Sequence, residues 1–138
     1  MQPSGVPAPP EASKKKIVVV VEDLFFLAKI RETARLLGIA LHCAHTPEEV
    51  EQKLDEAPPP NLVIVDLNGR RNQPLDLIAG LRRRPDYKRT TLVGFLSHLQ
   101  AELKQQAQAA GCDLVMPRSA FSQNLPALLR RHGLSDPA

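Results

Sequence analysis

Tryptophan is absent from these 138 residues, tyrosine occurs once and phenylalanine four times. So few rings leave little material for the stacking platforms that hold single-stranded nucleic acid. Cysteine is nearly as scarce. Cys43 and Cys112 are too few and too far apart in sequence for a disulfide scaffold or a zinc site, and both are expected as small core residues. No apolar run approaches the roughly 18 residues of a membrane span, and no charged stub at the N-terminus leads into an apolar signal core. A cytoplasmic protein without membrane contact is therefore expected. Charge of one sign is also lacking: 18 Lys and Arg stand against 15 Asp and Glu, a net +3 that gives weak ground for any partner.

What is present suits one domain, with 43% hydrophobic residues to fill one core. Residues 1–14 read as a disordered proline-rich tail, 15–133 as the folded domain and 134–138 as a C-terminal tail. "KKK" at 14–16 reads as a solvated boundary. "IVVVV" (17–21) and "NLVIVD" (61–66) are continuous apolar runs that fit strands covered on both faces, whereas "IALHCA" (39–44) alternates like an edge strand. "TLVGFL" (91–96) and "CDLVM" (112–116) are the fourth and fifth strands.

Helices fall between them. Leu27, Ile30, Ala34 and Leu37 recur at helical spacing before Gly38, and Thr46-Pro47-Glu48-Glu49 is a capping box for a helix reaching about Glu56. "APPP" ends that helix. Pro74 to Arg84 is a helix halted by Pro85. Leu99, Leu103, Ala107 and Ala110 mark the next one, and Ser122 caps a last one carrying Leu125, Leu128 and Leu129. The pattern predicts an α/β protein: a doubly wound (βα)5 parallel sheet, flavodoxin-like, in the order 2-1-3-4-5. Cys43 and Cys112 then lie on opposite edges and cannot bridge.

In that topology ligands bind at the carboxyl ends of the strands. The residues leaving those ends are Glu22 and Asp23, Asp66, Ser97 and Arg118. Neighbouring carboxylates repel, and a hard cation with oxygen ligands relieves the repulsion. Plainer uses exist for the same residues: Asp23 as a helix cap, Asp66 as an acceptor for loop amides, Ser97 as a cap of the fourth helix.

"VVVVED", "LVIVDLN", "FLSH" and "AGCDLVMPRS", in this order, make residues 15–132 resemble a response-regulator receiver domain of two-component signalling. The resemblance implies a phosphoprotein of a phosphorelay rather than an enzyme. Asp66 would accept phosphoryl from a histidine kinase or phosphotransfer protein. Glu22, Asp23, Asp66 and the backbone carbonyl of Asn68 would hold Mg²⁺, and Ser97 would bond a phosphoryl oxygen. Output would pass through contacts with a downstream protein, from a monomer or weak homodimer.

The chain departs from the receiver pattern at several points. Arg118 stands in place of the lysine, a planar fork where the pattern has a compact ammonium. Its guanidinium is expected to pair with Asp66. Val115 replaces an aromatic residue, His98 is bulky where a small residue is usual, and "LNGRRNQPLD" rewrites the loop after Asp66, with Arg70 and Arg71 expected to face solvent. These departures favour an alternative, a pseudoreceiver that binds proteins without phosphorylation. A nucleic-acid surface built on "RRR" (82–84), Lys88, Arg89 and "RR" (130–131) is not expected, since cations suit helix C-termini. A flavin site is poorer still, because "EDLFF" lacks the small residues whose amides cradle phosphate.

Overall fold

The computed structural model describes residues 15–56, 58–97 and 100–134. The expectations for the two terminal tails, Ala57, His98 and Leu99 lie outside the described residues. Five strands and five helices alternate: β1 (Ile17–Val20), α1 (Leu24–Leu37), β2 (His42–Ala44), α2 (Pro47–Asp55), β3 (Leu62–Asp66), α3 (Pro74–Arg82), β4 (Thr91–Leu96), α4 (Ala101–Ala110), β5 (Leu114–Pro117) and α5 (Arg118–Gly133), with a 3-10 turn at Pro85–Tyr87. The sheet is parallel throughout, in the order β2-β1-β3-β4-β5. The continuous and alternating apolar runs predicted this order.

The period of two along β1 and β3 divides the core between two faces. Val18, Val20, Val63 and Val65 meet Val50 and Leu54 of α2, Ile78 and Leu81 of α3 and Ala107 of α4. Ile17, Val19, Leu62 and Ile64 meet Ile30 and Ala34 of α1 and Phe121, Leu125 and Leu129 of α5. Cys43 and Cys112 are free thiols on strand and loop at opposite edges.

Four local differences from the sequence reading have physical causes. β2 has only three residues because Ile39 belongs to the end of α1. Gly38, at φ 72°, donates its N–H to the Arg35 carbonyl (3.1 Å) and Ile39 to that of Ala34 (2.9 Å), a Schellman closure. β5 starts at Leu114 since the Cys112 N–H closes α4 on the Ala107 carbonyl and the Asp113 carboxylate accepts from the Leu92 N–H. α3 ends at Arg82, where that side chain ties Gly111, Tyr87, Thr90 and Asp113 together. α5 begins at Arg118 rather than beyond Ser122, directly after Pro117, which brings Phe121 into the core at 0% exposure.

Lys16 is a fifth difference. Its ammonium is buried rather than solvated, donating to the carbonyls of Lys53 (3.0 Å), Glu56 (2.6 Å) and Pro58 (3.2 Å) at the exit of α2. A cation over the carbonyl end of a helix is favourable, and this one closes the amino end of the sheet. The arginines of "RRR" are similarly engaged. Arg84 pairs with Asp55 (3.2 Å) and lies 4.7 Å over the Tyr87 ring, so two of the three serve the fold.

Candidate functional site

The carboxyl ends of β1, β3, β4 and β5 converge on Asp66. The β3–β4 register sets Asp66 opposite Phe95, at the last rung of that ladder. Its carboxylate is only 5% exposed, and Oδ1 accepts the Asn68 N–H at 3.0 Å. Burial raises the Asp66 pKa above the usual carboxylate value, against the pull of the Asn68 N–H, the Arg118 charge and the Asp23 N–H, while the Asp23 charge pushes the same way as burial. A carboxylate this enclosed, on a rigid strand end, is held in place, and its neighbours decide its charge.

Asp23 lies across from it as the N-cap of α1. Its Oδ1 accepts the Phe26 N–H at 3.1 Å, and its Oδ2 takes an ion pair from Arg118 Nη1 at 2.8 Å. The Phe26 N–H is the main cause of its lowered pKa, with the Arg118 charge adding to it. The capping use of Asp23 is thus real and leaves its second oxygen for a cation.

Arg118 is placed differently from the expectation. It opens α5 and pairs with Asp23, while acting on Asp66 only through its charge. Phenyl rings fix this direction. The guanidinium carbon lies 5.2 Å from the Phe26 ring centre and 5.8 Å from that of Phe95, and these rings form one cluster with Phe121, which stacks on Phe95 and is tilted against Phe26. Arg118 Nε is buried without a hydrogen-bond partner among the described residues.

Glu22 is also placed differently. Its carboxylate is taken up by the loop after β3, accepting the backbone N–H groups of Arg70 (3.3 Å), Arg71 (3.2 Å) and Asn72 (2.9 Å), as well as Asn72 Nδ2 (3.2 Å). Gly69 permits this: a Cβ there would sit 2.7 Å from Glu22 Oε2. Glu22 therefore shapes the loop after β3, whose arginine side chains Arg70 and Arg71 are exposed, and whose last residue, Gln73, holds a positive φ of 46°.

Asn68 is the residue whose side chain the sequence reading passed over. Its Oδ1 accepts the Ser97 N–H at 2.6 Å and its Nδ2 donates to Gln100 Oε1 at 2.9 Å, so it straps the β3 loop to the β4 exit. Ser97 is exposed beside it. An asparagine two residues after a strand-end acid was the available signal, but it pointed only to a backbone carbonyl.

The donors for the divalent cation implied by the resemblance come down to Asp23, Asp66 and the Asn68 carbonyl. Asp23 and Asp66 are close enough for one charge to raise the pKa of the other, and two carboxylates with a carbonyl are the hard oxygen set that Mg²⁺ takes together with waters. Among the described residues no group of three His, Cys, Asp or Glu side chains could hold a metal, in keeping with the diversion of Glu22. The fit is to two acids, one of them held by Arg118.

No protein-family model and no curated protein sequence matches this chain. Solved structures do. The chemotaxis response regulator CheY4 of Vibrio cholerae is similar at TM-score 0.73 and 19% identity, over 86% of this chain and 98% of that one. The phosphorylated cyanobacterial phytochrome response regulator RcpA is similar at TM-score 0.71 and 16% identity, over 86% and 94%. The Mn²⁺-bound form of response regulator Rcp1 is similar at TM-score 0.71 and 15% identity, over 90% and 99%. The chain has the CheY-like fold of response-regulator receiver domains. No helix of the described residues is long and apolar enough to cross a membrane.

Proposed function

We propose that this chain is a phosphoaccepting receiver of a two-component phosphorelay, cytoplasmic and acting through protein contacts rather than as an enzyme. The observation that carries the reading is Asp66, held at the end of β3 by the Asn68 N–H, with Asp23, Ser97 and the Arg118 charge around it. An Asp66 carboxylate oxygen attacks the phosphorus of a phosphohistidine on a kinase or phosphotransfer protein. The new P–O bond forms as the P–N bond breaks, and the electron pair stays on the departing imidazole nitrogen. Ser97 is poised to bond a phosphoryl oxygen, and the Arg118 cation offsets the added charge. Mg²⁺ on Asp23, Asp66 and the Asn68 carbonyl would supply further charge neutralisation at the phosphoryl oxygens. Likeness to a phosphorylated regulator and to a Mn²⁺-bound one supports both parts.

The Arg118–Asp23 pair favours a second reading, a pseudoreceiver in which the cation permanently satisfies the acid. Intact-mass measurement after incubation with acetyl phosphate and Mg²⁺ separates the two. The phosphoacceptor reading expects one phosphate per chain, slowly gained, absent in Asp66→Asn and gained several-fold faster in Arg118→Lys, where a compact ammonium keeps the charge without the planar fork. No phosphate on either wild type or Arg118→Lys leaves the pseudoreceiver.

A further inference from the structure

α2 and α3 cover the same face of the sheet, and an open groove of about 430 Å³ runs between them. Its walls are apolar, from Val50 and Leu54 on α2 and Leu77 and Leu81 on α3. Its rim is acidic. Glu51 and Asp76 are exposed there and have no cationic partner among the described residues, while Asp55 is held by Arg84 at the far end. This acidic groove belongs to a chain of net charge +3.

Gly80 lines the same groove from inside α3. A glycine within a helix is destabilising relative to alanine, so it calls for a reason. Backbone conformation gives none, since Gly38 and Gly111 are the glycines with positive φ among the described residues. Packing gives none either, because a Cβ at Gly80 would meet nothing within 4 Å. What the missing side chain provides is a notch that opens outward.

We infer that the α2–α3 groove is a docking site for a basic amphipathic helix of a partner protein, with one apolar side chain seated over Gly80 and Lys or Arg side chains on Glu51 and Asp76. Helix rather than strand follows from the walls, whose backbone groups are spent within α2 and α3 and present no edge to pair with. Basic rather than acidic follows from the rim. The inference does not depend on phosphorylation of Asp66.

The probe is a fluorescein-labelled Leu/Lys amphipathic peptide of about 14 residues, four helical turns, titrated into the full chain by anisotropy. Saturable binding is expected, weakened about tenfold by Gly80→Leu, which fills the notch, and about tenfold by Glu51→Lys with Asp76→Lys. A Leu/Glu peptide should not bind, and Phe25→Ser, on another surface, should change nothing. Gly80→Ala controls for folding and should raise the thermal midpoint. No saturable binding to wild type overturns the inference. So does binding that stays within twofold in both variants, or that the Leu/Glu peptide shares. A wild-type dimer in sedimentation that Gly80→Leu dissociates assigns the groove to a second copy and overturns it equally.

Discussion

The two ends of the sheet treat charge in opposite ways. At the amino end, cations are matched to carbonyls: Lys16 meets three at the exit of α2, Arg82 meets three more and the Asp113 carboxylate, and the hydroxyls of Thr90 and Tyr87 donate to Pro60 (2.7 Å) and Leu54 (2.6 Å). At the carboxyl end, three acids are gathered from two strand exits. The buried side-chain atoms without a partner among the described residues, Asn72 Oδ1 and Arg118 Nε, both lie there. A buried polar atom left unpaired costs stability, so the contrast marks the amino end as the closed, better satisfied of the two.

Substitutions can test that contrast. The largest effect is expected from Lys16→Met, which leaves three carbonyls at the exit of α2 without their buried donor; urea denaturation should show a loss of about 3 kcal/mol. Tyr87→Phe removes one buried hydrogen bond at the same end and should cost about 1.5 kcal/mol. If either variant is as stable as wild type, the amino end is not the closed end.

Asp66→Asn should act in the opposite direction, and with a pH dependence. Burial raises the folded pKa of Asp66 above its unfolded value of about 3.9. Between those two values the folded chain binds more protons than the unfolded one, so this carboxylate lowers stability as pH rises through the window. Asp66→Asn, which never ionises, should therefore be the more stable protein at neutral pH and lose that advantage below the unfolded value. Thermal midpoints measured across the acid range would show it, and a variant less stable at every pH would mean the acid is not a stored cost.

The strand order was legible because burial on two faces and on one face write different patterns, and the caps at Asp23, Gly38 and Thr46 were legible because they are local. Arg118 and Glu22 were not. Glu22 is engaged by backbone N–H groups 48 to 50 residues away, which adjacency to Asp23 in sequence does not reveal. Arg118 is aimed by Phe26 and Phe95, which come from a different helix and strand. Lys16 was misread for the same reason: its acceptors lie 37 to 42 residues away in the chain.

The lone tyrosine makes the two ends optically unequal. Tyr87 is 1% exposed, with its hydroxyl on the Leu54 carbonyl, and no tryptophan absorbs or emits beside it. Intrinsic fluorescence of the native chain therefore watches the amino end alone, and phenylalanines leave the neighbourhood of Asp66 dark. Binding or phosphoryl chemistry at the carboxyl end can run to completion while the tyrosine signal stays flat. A tryptophan at position 25, where Phe25 is 92% exposed, would put the missing lamp there.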